Sequence, residues 1–181
     1  MKQIENYENV QASSGEFARP VANGYICKII DVVDVPVDAN TGKGDYLRIE
    51  YDIADGEFKD YYMEQFTRWG GVWKASFIRS YKEKAVGMFK HFVSCVEKSN
   101  NGYEWDWNEK SLIGKTIGLV LGEEDYKNSM GEVKTKLSVS QIKTVEEIKN
   151  GDFKVPAPKK LEVELVNTSD FSVIADDDLP F

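Results

Sequence analysis

The amino-acid sequence predicts a mainly β fold, a five-stranded Greek-key barrel with one helix between the third and fourth strands. Three observations lead there. Apolar and polar residues alternate with period two over residues 46–53 and 132–142. The period changes to that of a helix over residues 76–98. Gly-, Asn- and Asp-rich clusters punctuate the chain between these segments.

Gly24 opens a first strand over residues 25–33, dense in Ile and Val. Residues 38–45 read as a hairpin loop; their acids lack the full ligand spacing of a calcium loop, so a plain turn is expected. In the second strand Leu47, Ile49, Tyr51 and Ile53 share one face, and Tyr46, Arg48, Glu50 and Asp52 the other. Asp55-Gly56 is a tight-turn signal. A third strand is expected over residues 57–67, rich in Phe and Tyr, followed by a Gly-hinged segment bearing Trp69 and Trp73. The helix presents Ala85, Met88, Phe89, Phe92, Val93 and Val96 as one apolar stripe, and Asn100-Asn101-Gly102 ends it. Two more strands, residues 113–121 and 132–142, follow the Trp105-Asp106-Trp107 corner, with a turn at Glu123-Glu124-Asp125. Three strands, a helix and two strands is the order of an oligonucleotide-binding (OB) fold. An SH3-like barrel accommodates the long helix less well.

With 181 residues, 41% of them hydrophobic, the chain supports one domain with a sizeable core. The expected organisation is an N-terminal arm (residues 1–19), the OB-fold domain (20–155), and a linker with an acidic tail (156–181). Val155-Pro156-Ala157-Pro158 forms a stiff, proline-spaced exit from the domain. Cys27 and Cys95 sit in apolar settings and read as reduced core thiols, and a single histidine, His91, leaves zinc or triad chemistry short of ligands. No cofactor and no metal are expected. Without an apolar run near the ~20 residues that span a bilayer, or a secretory leader, the expectation is no membrane association and a cytoplasmic location.

The net charge of -8 argues at first against a nucleic-acid partner, but its distribution reverses that. Residues 162–181 carry six acids and no Lys or Arg, leaving residues 1–161 with 25 acidic against 23 basic groups, a balance of -2. Residues 59–98 are locally basic, with eight Lys and Arg against four acids, and aromatic side chains are interleaved throughout. Sequence-neutral binding of single strands needs this combination, cations for phosphates and ring faces for bases. Lys59, Arg68, Lys74 and Arg79 are the candidate phosphate contacts here; Arg48, Lys134 and Lys136 are further candidates, which an ordinary solvated strand face explains equally well. Tyr61, Trp69 and Trp73 are candidates for stacking or, just as well, for packing. Phe77, Phe89 and Phe92 read as core. Trp105 and Trp107, flanked by Glu104, Asp106 and Glu109, are assigned to packing because those acids repel phosphate.

The chain finishes Asp176-Asp177-Asp178-Leu179-Pro180-Phe181. A terminal ring and an α-carboxylate suit an apolar pocket beside an Arg or Lys, the aspartates suit a basic rim, and Pro180 lowers the ordering cost. These six residues resemble the acidic C-terminal tip of bacterial and phage single-stranded DNA-binding (SSB) proteins, with Leu179 where Ile is more usual. Three body segments, Tyr46-Leu47-Arg48-Ile49-Glu50-Tyr51-Asp52, Asn101-Gly102-Tyr103-Glu104-Trp105-Asp106-Trp107 and Gly151-Asp152-Phe153-Lys154-Val155-Pro156, are similar to a phage-encoded SSB-like family. The resemblance implies single-stranded DNA as ligand in replication and recombination, and recruitment of a helicase, primase, recombinase or mediator by Asp176–Phe181. It also implies homo-oligomers, and a phage gene expressed in the cytoplasm of a bacterial host. Two other classes compete: an adaptor that binds only proteins, and a metal-dependent nuclease using Asp52, Asp55, Glu57 and Asp60.

Overall fold

The computed structural model describes residues 18–161, together with Glu8. Its elements in order are β1 (Asn23–Val35), β2 (Tyr46–Ile53), α1 (Tyr61–Trp69), β3 (Ser76–Ser80), α2 (Val86–Ser99), β4 (Thr116–Lys127), β5 (Val133–Lys143) and α3 (Val145–Asn150). The strands form one antiparallel sheet in the order β3-β2-β1-β4-β5. β1 is long enough to pair with β4 through its first half and with β2 through its second, and a register shift between Ile29 and Asp31 bends it between the two. The edge strands β3 and β5 approach within 8 Å, Cα to Cα, while α2, between β3 and β4 in the chain, packs on β3, β4 and β5.

The alternation read in β2 is what buries its apolar set: Leu47, Ile49, Tyr51 and Ile53 all join the core. They meet Ile29 and Val32 of β1, Ile117, Leu119 and Leu121 of β4, and Phe92, Val93, Cys95 and Val96 of α2. Phe77 and Phe92 lie in the core, as expected, with their rings edge to face at 5.8 Å. Cys27 and Cys95 are buried free thiols. Met88, assigned to the helix stripe, is exposed instead: α2 starts only at Val86, and of its first turn Phe89 alone packs against the core.

Four expectations are corrected. Residues 57–67 do not form the third strand. Asp60 adopts a left-handed conformation (φ 59°) that reverses the chain, and a helix starts at Tyr61. The third strand is instead Ser76–Ser80, taken from the front of the segment read as helix; Phe77 points into the core and Ile78 outward. β4 continues to Lys127, so Glu123, Glu124 and Asp125 are strand residues paired with Leu137, Lys136 and Thr135, and the turn falls at Asn128–Gly131. Trp107 is 83% exposed rather than packed, at a positive φ of 62°.

α3, unforeseen in the sequence, covers the outer face of β4. Gly118 permits this, since a Cβ there would stand 2.5 Å from Ile148 and 2.6 Å from the Thr144 carbonyl oxygen. The helix is started by a capping box: Thr144 Oγ1 accepts from the Glu147 N–H, and Glu147 Oε2 accepts from the Thr144 N–H at 2.8 Å. That N–H, with Lys143 Nζ at 3.0 Å, holds the Glu147 carboxyl at about 2, below its ordinary 4.5. A carboxyl lowered by folding contributes stability above its unfolded value and loses it as pH falls through the folded one. Thermal melts are therefore expected to show wild type losing more stability than Glu147→Gln between pH 4.5 and 2. Parallel melting curves for the two chains across that window would remove the capping box as the cause.

The exit segment does not leave directly. Beyond Leu121, where β1 ends its pairing with β4, Lys159 takes up the vacant side of β4: its N–H donates to Glu123 O and its carbonyl accepts from the Asp125 N–H.

Candidate nucleic-acid interface

The site is organised by α1. This nine-residue helix buries no residue fully, and its own N-cap, Asp60, makes no side-chain cap. The cap comes from β2. Asp52 is 2% exposed; its Oδ1 accepts from the Tyr62 N–H and its Oδ2 from the Met63 N–H, each at 2.9 Å, with a third bond from the Ile53 N–H. An anionic acceptor at a helix N-terminus satisfies two orphan donors and complements the helix dipole. Burial pushes the Asp52 carboxyl above its ordinary range, and the three N–H donors pull it back without cancelling the burial. Tyr62 and Tyr61 then tie the helix to the body, Tyr62 edge to face on Tyr51 and Tyr61 on Phe58.

Anchored at its first turn, α1 forms one wall of a groove of about 820 Å³. Tyr61, Gln65 and Trp69 recur every fourth residue along that wall, with Tyr62 and Phe66 beside them. Gly70, Val72 and Lys74, on the segment that follows α1, also line it. The strap Arg19–Val21 borders the groove, held by the Tyr25 hydroxyl, which donates to Val21 O and accepts from the Val21 N–H. The β4–β5 ribbon is the facing wall, with Tyr126, Thr135, Lys136 and Leu137. Three cationic side chains, Arg19, Lys74 and Lys136, face one acid, Glu123, in the lining. Lys136 also lies 3.6 Å from Glu124 and over the Tyr126 ring at 5.5 Å.

Four residues singled out from the sequence thus meet in one concavity: Tyr61, Trp69, Lys74 and Lys136. Trp69 is the most accessible ring among them, at 69% exposure. The others are placed elsewhere. Trp73 faces inward; its indole N–H donates to Tyr51 O and Ala75 O, and its ring packs on Phe66. Arg79 is half-buried over the Phe77 ring at 4.9 Å and donates to its neighbour's carbonyl, Ile78 O. Burial lowers its pKa from the usual guanidinium value. Arg48 pairs with Glu50 at 3.4 Å, and Lys134 with Glu132 at 3.4 Å. Lys59 is exposed on the turn before α1, and Arg68 is exposed on α1; neither lines the groove. The tip, Asp176, Asp177, Asp178, Leu179, Pro180 and Phe181, lies outside the described residues.

Sequence reasoning missed Arg19, Gln65 and Tyr126. The Arg19-Pro20 pair lies in a segment read as arm, and Tyr126 lies beyond the expected end of β4. Gln65 becomes visible only once residues 61–69 are helical, since its spacing from Tyr61 and Trp69 has meaning only at 3.6 residues per turn. Of the four acids of the nuclease reading, Asp52 has both carboxylate oxygens taken by backbone N–H donors. Among the described residues no group of three or more His, Cys, Asp or Glu is arranged to hold a metal ion, and no helix is long and apolar enough to cross a membrane. Comparison of the chain with family models and with curated proteins finds no match.

Proposed function

We propose that this chain binds single-stranded DNA without sequence preference, through an OB-type domain, and that its tip Asp176–Phe181 recruits replication and recombination proteins. The observation that carries this reading is the groove itself. Ring faces from Tyr61, Trp69 and Tyr126 share one concavity with Arg19, Lys74 and Lys136, in a chain of net charge -8. Stacking platforms beside phosphate-pairing cations are the minimum a single strand requires, and a duplex, whose bases are already stacked, cannot use the rings. The OB assignment is supported by five antiparallel strands, by α2 between β3 and β4, and by the close approach of the two sheet edges.

The test is a titration with fluorescent oligo-dT and with matched duplex over a range of salt, following tryptophan emission alongside. Tight binding of the single strand, weak binding of the duplex and quenched emission are expected. If Arg19, Lys74 and Lys136 each neutralise one phosphate, the log–log salt slope should be about -2. Absence of binding to any single strand at low salt overturns the reading and leaves a protein-binding adaptor in its place.

A further inference from the structure

Gln65 sits midway between two rings. Tyr61, Gln65 and Trp69 follow one another along the groove wall of α1, and at a rise of about 1.5 Å per residue each step is about 6 Å. A duplex strand advances about 3.4 Å per nucleotide, so bases that meet these side chains in turn are spaced more widely than in a stack, and in an unpaired strand their edges are uncovered. The Gln65 side chain is half-buried in the groove lining, and among the described residues no hydrogen bond engages its amide. An amide carries a donor and an acceptor side by side and can turn over. Each base offers the complementary pair on an edge: adenine N6–H with N7, cytosine N4–H with N3, guanine N1–H with O6, thymine N3–H with O4.

We infer that Gln65 hydrogen-bonds the edge of the base lying between Tyr61 and Trp69, adapting to any of the four by amide rotation. It thereby reads the edge of a base whose faces Tyr61 and Trp69 are placed to stack. This rests on the proposed single-strand binding and adds to it, since stacking and phosphate pairing alone need no edge contact. Thr135 on the facing ribbon is held by Asp125, to which its hydroxyl donates at 2.7 Å. Among the described lining residues the Gln65 amide, like the Tyr61 and Tyr126 hydroxyls, has no hydrogen-bond partner, and it is the one of these groups that presents a donor and an acceptor on two separate atoms.

The test compares wild type and Gln65→Ala on two probes of equal length and charge, oligo-dT and an oligomer of abasic deoxyribose units. Alanine suits a part-exposed helix position, so the variant keeps α1. Gln65→Ala is expected to bind oligo-dT about fivefold more weakly, the worth of one or two neutral hydrogen bonds, with unchanged affinity for the abasic strand. An equal loss on both probes, or no loss on oligo-dT, overturns the inference and leaves single-strand binding standing. Failure of wild type to bind oligo-dT overturns both readings together.

Discussion

An Asp52→Ala chain is expected to lose about 3 kcal/mol of folding stability, a larger effect than at any surface carboxylate. The substitution leaves three N–H groups, of Ile53, Tyr62 and Met63, without their acceptor. Hydrogen bonds to a charged group contribute roughly 1.5–3 kcal/mol each, and relief of the carboxylate's burial offsets part of the sum. For a domain of this size the midpoint should fall by about 6–12 °C. Asp52→Asn should recover less than half of the loss, because its amide nitrogen meets one of the two α1 donors with a donor. Urea titrations of the three chains decide it; a loss below about 0.5 kcal/mol for alanine would place the anchoring of α1 elsewhere. Since α1 has no fully buried residue of its own, Asp52→Ala should also raise amide exchange over residues 61–69 before the sheet opens.

Trp69→Ala should separate binding from folding. The ring stands 69% exposed at the last residue of α1, so its removal should change stability by less than about 0.5 kcal/mol. A base stacked on an aromatic side chain contributes about 1–3 kcal/mol, so affinity for oligo-dT should fall roughly 5- to 150-fold, and most of the binding-linked quench should vanish. Trp73→Ala is the control of opposite character. Its indole N–H is bonded to two carbonyls and its ring packs on Phe66, so about 3 kcal/mol of stability should go while the Trp69 quench persists in the folded chain. Unchanged oligo-dT affinity in Trp69→Ala would remove the stacking platform from the groove.

The two tryptophans show where reading the chain alone stops. Trp69 and Trp73 flank the same Gly70-Gly71 hinge and are equivalent in composition and setting. Only the fold turns one ring to solvent and gives the other two carbonyl partners. Asp52 carries the same lesson in reverse. Period-two alternation placed it with Arg48 and Glu50 on the face opposite the apolar one, whereas a helix begun nine residues later folds back over it and takes both its oxygens.

Local periodicity accounts for one part of this architecture. β1, β2 and the second half of the long helix follow from which residues must leave water together, and those residues are in the core observed; of the alternating set of β5, Leu137 and Val139 pack against it while Val133 stays exposed. The locally basic, aromatic character of residues 59–98 was equally legible, because charge and ring content are counted along the chain. That residues 61–69 are helical depends on a contact distant along the chain, because the cap that starts that helix is a carboxylate on another element. The same holds for the groove. Arg19, Lys74 and the hairpin that carries Tyr126 and Lys136 are distant in sequence, and strand pairing across the sheet brings them to one surface.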